Sequence, residues 1–100
     1  ITGNPDRLIT SIAVCTGGGG SLINDFLLSD AQVFITGDIK YHEARMVQEN
    51  NKAIIDVGHF ASEHIAIDLF KEKLDTAFFK AGIKIDILCF KNEQDPFNII

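Results

Sequence analysis

The chain lacks tryptophan, carries one methionine and one tyrosine, and has only two cysteines and two prolines in 100 residues. Two cysteines, Cys15 and Cys89, are too few for a disulfide framework, and no Cys-x-x-Cys pair occurs. No apolar run approaches the roughly 20 residues of a membrane-spanning helix. These absences argue against a disulfide-stapled secreted module and a membrane span. They predict a cytoplasmic protein with two free, buried thiols.

A basic surface is also missing. The chain has 9 lysines and arginines against 14 aspartates and glutamates, which gives a formal net charge of -5. Such a balance does not favour the phosphate electrostatics of nucleic-acid binding. The length and the 46% hydrophobic content predict a single globular domain over residues 1–100. Because the chain begins at Ile1 and its sole methionine is Met46, we expect a fragment or a processed product.

Apolar, β-branched runs alternate with helical patterns along the chain. Strands are predicted at 7–15, 31–38 and 52–59, helices at 21–30, 39–51 and 60–81, and a half-exposed edge strand at 83–90. This βαβαβαβ order predicts a layered α/β fold with a mostly parallel sheet.

Two of the predicted helices show a buried stripe. In the helix at 21–30, Ile23, Phe26 and Leu27 share one face, and Ser21 is the expected N-cap. The stripe of the helix at 60–81 comprises Ile65, Leu69, Phe70, Leu74, Ala77, Phe78 and Ala81. Gly82 then stands where a left-handed C-terminal cap belongs.

Three loops follow the first three strands: "CTGGGGS" at 15–21, "TGDIKYH" at 36–42 and "GHFASEH" at 58–64. If the strands are parallel, their carboxyl ends share one edge of the sheet, where ligands bind in α/β proteins. These loops contain all three histidines and most of the chemically capable side chains. Their convergence predicts a functional site.

The third loop offers a metal-binding pair. His59 and Glu63 are four residues apart, so one helical turn brings both to one face. An imidazole and a carboxylate suit zinc, iron or manganese. Zinc usually takes three or four protein ligands, so this pair alone is incomplete. By spacing alone, a solvated polar helix start is the better interpretation, and His64 is expected to be a neighbour of the pair.

The other two loops allow substrate contacts. Asp38 is expected to cap the helix behind it, while Lys40 and His42 are suited to bind an anionic substrate or to transfer a proton. Solvated side chains are the alternative for both. Gly18 and Gly19 lie in a four-glycine turn that lets backbone N–H groups approach a phosphate. A tight connection explains the glycines equally well.

Together the loops resemble the Nif-three-like family, whose members are often labelled GTP cyclohydrolase I type-two homologues. The matching segments are the strand and glycine turn from Ile12 to Ile23, "FITGDIKYHEA" at 34–44, "DVGHFASE" at 56–63 and "DPF" at 95–97. The resemblance covers nearly the whole chain. It implies an α/β fold, a dinuclear divalent-metal site and a ring-like homo-oligomer, commonly a hexamer.

The resemblance also implies roles for individual residues. His59 and Glu63 match the family's metal ligands, and Asp38, Lys40 and His42 match residues that lie around the site. Family members carry further ligands in an N-terminal half that this sequence does not contain. The chain is therefore expected to be the C-terminal part of a longer protein, with an incomplete metal site.

Three functions stay open at this point. The first is a metal-dependent hydrolase that acts on a nucleotide or phosphoester through metal-activated water. The second is a non-catalytic metal-binding scaffold or protein-interaction module in a ring-like oligomer. The third is a nucleotide-binding α/β module that uses the glycine loop without metal.

Overall fold

The structure, a computed structural model, describes residues 1–97. Its elements in chain order are β1 (Ile12–Gly18), a 3-10 turn (Gly20–Leu22), α1 (Ile23–Leu28), β2 (Val33–Gly37), α2 (Tyr41–Glu49), β3 (Ala53–Asp56), α3 (His59–His64) and α4 (Ala66–Lys80). The chain forms two compact units, one spanning Ile1–Ser62 and the other beginning at Glu63. Residues 98–100 of the predicted domain lie outside the described residues.

The first unit is built on a three-stranded parallel sheet in the order β1-β2-β3. Val33 of the central strand pairs with Ile12 on one side and with Ala53 on the other. This confirms the predicted α/β class and parallel sheet. The first strand begins at Ile12 instead of residue 7. Before Ile12, the Thr10 backbone N–H donates to the Gln32 side chain at 2.8 Å and not to a neighbouring strand.

One face of the sheet packs against α1 and α2 to form the core. The buried side chains of this cluster are Ile23, Phe26, Ala31, Phe34, Val47 and Ile54. The Phe26 and Phe34 rings stack with centroids 5.1 Å apart. Full burial of such large side chains contributes about 1.5–3 kcal/mol each. The predicted inner face of the first helix is thus confirmed, with Leu27 partly buried beside it.

The starts of α1 and α2 differ from the sequence predictions. Ser21 lies inside the 3-10 turn, and the N-cap of α1 is Leu22, which makes no side-chain capping bond. The N-cap of α2 is Lys40, so the predicted capping role of Asp38 is wrong. The Glu43 carboxylate instead accepts the Lys40 backbone N–H at 2.8 Å, which satisfies a donor that the first helical turn leaves unpaired.

The second unit contains α4 and the segment that follows it. The single helix predicted at 60–81 is interrupted at Ile65, whose dihedrals (φ −63°, ψ −23°) resemble those of a 3-10 turn. α4 ends as predicted at Gly82, which has a φ of 69°. The N–H groups of Gly82 and Ile83 donate to the carbonyls of Phe79 and Phe78, which is the Schellman pattern.

Two predictions for the second unit are wrong. Residues 83–90 form no strand, because no described strand of this unit is available to pair with their backbone groups. The stripe of α4 is not buried either: the Ile65 side chain is 75% exposed and that of Phe70 is 64% exposed. No residue from 63 to 97 is buried.

The structure can be compared with two predictions made from composition, those of free, buried cysteines and of no membrane span. Both cysteines are free, as predicted, but Cys15 and Cys89 are half-buried, not fully enclosed. None of the helices within residues 1–97 has the length and apolar composition needed to cross a membrane.

Candidate functional site

The three glycine-led loops meet at the carboxyl edge of the sheet in the first unit. Gly19 N–H donates to the Gly37 carbonyl at 3.2 Å, and Gly17 N–H donates to Ser62 Oγ at 2.8 Å. A methyl group added at Gly37 would lie 2.6 Å from the carbonyl carbon of Gly58, so these backbones are in direct contact. The predicted convergence of the loops is therefore confirmed within Ile1–Ser62.

An aspartate and a histidine pair at this edge. His59 Nδ1 lies 2.6 Å from Asp38 Oδ2, and the two side chains are 47% and 60% exposed. Asp38 has a φ of 56°, a left-handed backbone that aspartate tolerates better than most residues. Gly18 borders the pair, because a Cβ there would lie 3.8 Å from both Asp38 Oδ2 and His59 Nδ1. The pair faces solvent beside the glycine turn.

This pairing defines the chemistry that His59 can offer. An ionised carboxylate only accepts hydrogen bonds, so the proton between the two groups comes from Nδ1 of the imidazole. A hydrogen bond to a charged acceptor is about twice as strong as a neutral one. The contact therefore restrains the ring of His59, and a restrained imidazole serves either as a metal ligand or as a proton-transfer group.

Lys40 and His42 lie at the exposed start of α2. Lys40 is the N-cap residue, and the His42 side chain is 70% exposed with Nε2 4.0 Å from Glu43 Oε1. Both side chains are accessible to a ligand at the carboxyl edge of β2. Their roles in substrate binding and proton transfer stay predictions.

The glycine turn is packed against the end of β2. Gly17 has a φ of 70°, and its carbonyl accepts the hydroxyl of buried Thr36 at 3.3 Å. A Cβ at Gly19 would lie 2.2 Å from Thr36 Oγ1. The N–H groups of Gly17 and Gly19 already donate within the protein. These contacts favour the tight-connection interpretation for Gly17 and Gly19 and leave Gly18 as the exposed glycine of the turn.

Two residues that the sequence interpretation missed hold these loops together. The Ser62 hydroxyl donates to the His59 carbonyl at 2.9 Å while it accepts Gly17 N–H. The Asp56 carboxylate accepts Ile39 N–H at 3.0 Å and Gly58 N–H at 2.9 Å. The signal for Asp56 was a charged residue at the end of an apolar strand. The signal for Ser62 was its place in the "DVGHFASE" segment that carries the family resemblance.

The donor set that this chain brings to a metal is partial. Glu63 follows His59 in α3 at the i+4 position and is the first residue of the second unit. Within residues 1–97, no group of three or more histidine, cysteine, aspartate or glutamate side chains is arranged to hold a metal ion. An imidazole held by a carboxylate fits a metal ligand, but a complete coordination sphere requires donors beyond those described.

Sequence comparisons place the chain among known proteins. A family model described as Duf34/NIF3 (NGG1p interacting factor 3) matches residues 1–96. The protein named GTP cyclohydrolase 1 type 2 homolog from Clostridium acetobutylicum is 36% identical over 95 residues, which are 95% of this chain and 35% of that protein. The protein of the same name from Mycobacterium leprae is 43% identical over 99 residues, covering 98% of this chain and 25% of that protein.

The fold is shared with a solved structure. The crystal structure of Staphylococcus aureus protein SA1388 matches with a TM-score of 0.89 and 31% identity, over 99% of this chain and 32% of that one. This chain therefore spans roughly a quarter to a third of the length of these relatives. The match over residues 1–96 and the shared fold lead to one conclusion: the chain belongs to the Duf34/NIF3 family.

Proposed function

We propose that His59 and Glu63 are ligands of a pair of divalent metal ions of the zinc, iron or manganese class. The remaining ligands would come from parts of the protein outside these 100 residues. The observation that carries the proposal is the 2.6 Å contact between His59 Nδ1 and Asp38, because metal-binding histidines regularly donate their other ring N–H to a carboxylate. Membership of the Duf34/NIF3 family supports it.

The reaction we propose is hydrolysis of a nucleotide or phosphoester in the cytoplasm. Divalent metal ions held by His59 and Glu63 would activate water as the nucleophile and would polarise a phosphoryl oxygen. The Lys40 ammonium, at the exposed start of α2, binds an anionic phosphate oxygen of the substrate. The His42 imidazole transfers a proton to the leaving group. The exposed Gly18 lets a substrate approach the Asp38–His59 pair closely.

Metal content tests the ligand assignment. Elemental analysis of the purified full-length protein is compared with the His59→Ala and Glu63→Ala variants, and both variants are expected to lose bound metal. His64→Ala is the matched control, since it removes an imidazole from the same helix and is expected to keep the metal. Unchanged stoichiometry in both ligand variants would rule out the assignment.

Turnover tests the hydrolase. The metal-loaded full-length protein is assayed against a panel of nucleotides and phosphoesters, and hydrolysis is expected to require the metal. His42→Ala is expected to keep its metal and to lose about 10²- to 10⁴-fold in rate, the usual contribution of a positioned general acid or base. A His42→Ala variant with full activity would remove that residue from the mechanism.

A second candidate function is a metal-binding scaffold in a ring-like homo-oligomer such as a hexamer. The observation that favours it is the exposure of the large apolar side chains Ile65, Leu69 and Phe70, since such surfaces mark interaction sites. Phe70→Glu in the full-length protein is expected to lower the oligomeric mass in sedimentation while metal content is kept. Absence of turnover across the panel would favour this function over the hydrolase, and metal-dependent turnover lost in His59→Ala would count against it.

A further inference from the structure

We propose that Asp38 is a positioning residue for His59, one that holds the Nδ1 proton and so makes Nε2 the nitrogen that binds metal. This inference rests on the proposed metal site and adds a residue that acts through His59 instead of touching the metal. The 2.6 Å Nδ1–Oδ2 contact is the first observation behind it. Because an ionised carboxylate has no proton to give, Nδ1 is the donor, and only Nε2 keeps a lone pair for a metal ion.

The backbone around Asp38 is fixed independently of the histidine. The preceding carbonyl, that of Gly37, accepts Gly19 N–H, and the following N–H, that of Ile39, donates to Asp56 Oδ2 at 3.0 Å. Because the backbone groups on both sides of Asp38 are hydrogen-bonded, its left-handed φ of 56° is held in place. The carboxylate is therefore presented to His59 by the fold and does not depend on a metal to order it.

The histidine side of the contact is held in the same way. Gly58 N–H donates to Asp56 Oδ1 at 2.9 Å, and the His59 carbonyl accepts the Ser62 hydroxyl at 2.9 Å. One carboxylate, that of Asp56, therefore bonds the residue after Asp38 and the residue before His59. This clamp sets the separation of the two loops, and the Asp38–His59 hydrogen bond forms across that fixed gap.

Asparagine at position 38 separates positioning from a merely structural role. Asparagine matches aspartate in size and also tolerates a left-handed backbone, so Asp38→Asn preserves shape and packing. It replaces the charged acceptor by a neutral amide, which weakens the hold on Nδ1–H. A structural role predicts wild-type behaviour for this variant, whereas the positioning role predicts a weaker metal site.

The first measurement is the tautomer of His59. Nitrogen-15 NMR is recorded on the metal-free full-length protein with labelled histidine at pH 8, where ordinary imidazoles are neutral. The His59 signals are identified by their absence in His59→Ala. We expect a proton on Nδ1 in the wild type and a larger population with the proton on Nε2 in Asp38→Ala. A wild-type His59 protonated on Nε2 alone would overturn the proposal.

The second measurement is metal affinity, by calorimetric titration of Zn²⁺ into the metal-free full-length protein. We expect Asp38→Asn to bind 10- to 100-fold more weakly, the usual effect of removing a partner of a metal-bound histidine. The control is Asp30→Asn, which changes an exposed aspartate before β2, at the opposite end of the strand, and is expected to bind as the wild type does.

The His59→Ala variant separates the two proposals. If His59→Ala loses metal while Asp38→Asn binds as tightly as the wild type, the positioning role fails and the metal site stands. If His59→Ala keeps its full metal content, the proposed metal site fails, and the role of Asp38 fails with it.

Discussion

The chain forms two compact units, and the helices of both were predicted from the same kind of apolar periodicity, with different outcomes. In the first unit, Ile23 and Phe26 of α1 lie in a buried core with the sheet. In the second, Leu69 and Phe70 of α4 belong to a stripe that was likewise predicted to share one helix face, and both remain exposed. Apolar periodicity reports which side chains share a face. Whether another surface covers that face is a separate matter.

The units also differ in what holds their backbones. In the first, long-range hydrogen bonds join the segments at the carboxyl edge of the sheet, such as those from Gly19 N–H to the Gly37 carbonyl and from Gly17 N–H to Ser62 of α3. In the second, the described helix is closed by local bonds, those of Gly82 and Ile83 to the last turn. We expect the first unit to respond strongly to changes in its packing and the second to respond mainly to changes in its helix end.

The largest expected difference is in side-chain truncation. Ile54→Ala removes a fully buried side chain and is expected to lower the free energy of unfolding by about 2–5 kcal/mol. Leu69→Ala changes an exposed side chain and is expected to stay within about 0.5 kcal/mol. Urea unfolding of the 100-residue chain measures both. Similar losses in the two variants would break the contrast between the units.

The next largest change in stability is expected from glycine substitution where the loops of the first unit meet. Gly37→Ala places a methyl group 2.6 Å from the backbone of Gly58, and overpacking of this kind costs about 1–3 kcal/mol. Gly18→Ala is the matched control, because its methyl group meets only ordinary contacts at 3.8 Å. The shift of the urea midpoint is expected to be large for the first and near zero for the second. A tolerated Gly37→Ala would mean that the loops are not in contact.

A smaller effect is expected at the helix end of the second unit. Gly82 has open space around it, so Gly82→Ala is penalised only by its left-handed backbone, at about 1–2 kcal/mol. Gly82→Asn is expected to lose less, since asparagine adopts this conformation more readily. Thermal unfolding followed by the helical signal measures both. Equal losses for alanine and asparagine would argue against the backbone explanation.

The smallest effect concerns a surface ion pair of α4. The hydrogen bond to the Asp75 carboxylate raises the pKa of Lys71 above its ordinary value of 10.5. The charged form of Lys71 is thus favoured in the folded state, so its contribution is present below pH 10.5 and fades as the pH rises through the folded-state pKa. Lys71→Met is expected to be slightly less stable than the wild type at pH 7.

The difference in the free energy of unfolding between the wild type and Lys71→Met should disappear as the pH passes 10.5. Urea unfolding series recorded across that range measure it. Glu72→Gln is a suitable control, since it removes an exposed charge from the neighbouring position of the helix. A Lys71→Met difference that stays constant with pH would show that the ion pair contributes nothing.

Much of the candidate site followed from local pattern. The glycines after the first three strands and the histidines behind them located the carboxyl edge, because parallel strands end on the same side. The Asp38–His59 contact did not follow, since 21 residues separate the two and the left-handed turn at Asp38 gave no sequence signal beyond its residue type. The clamp by Asp56 was missed for the same reason: its partners, Ile39 and Gly58, are backbone groups of two different loops.

Local sequence patterns were sufficient to predict the α/β class, the alternation of strands and helices with a parallel sheet, the inner face of α1 and the glycine that ends α4. Each of these depends on local periodicity or on the backbone preference of one residue. Three features depend on tertiary contacts: Asp38 faces His59, the stripe of α4 stays exposed, and residues 83–90 form no strand. Burial, strand pairing and long-range hydrogen bonds each require a second surface, and a local pattern carries no information about where that surface is.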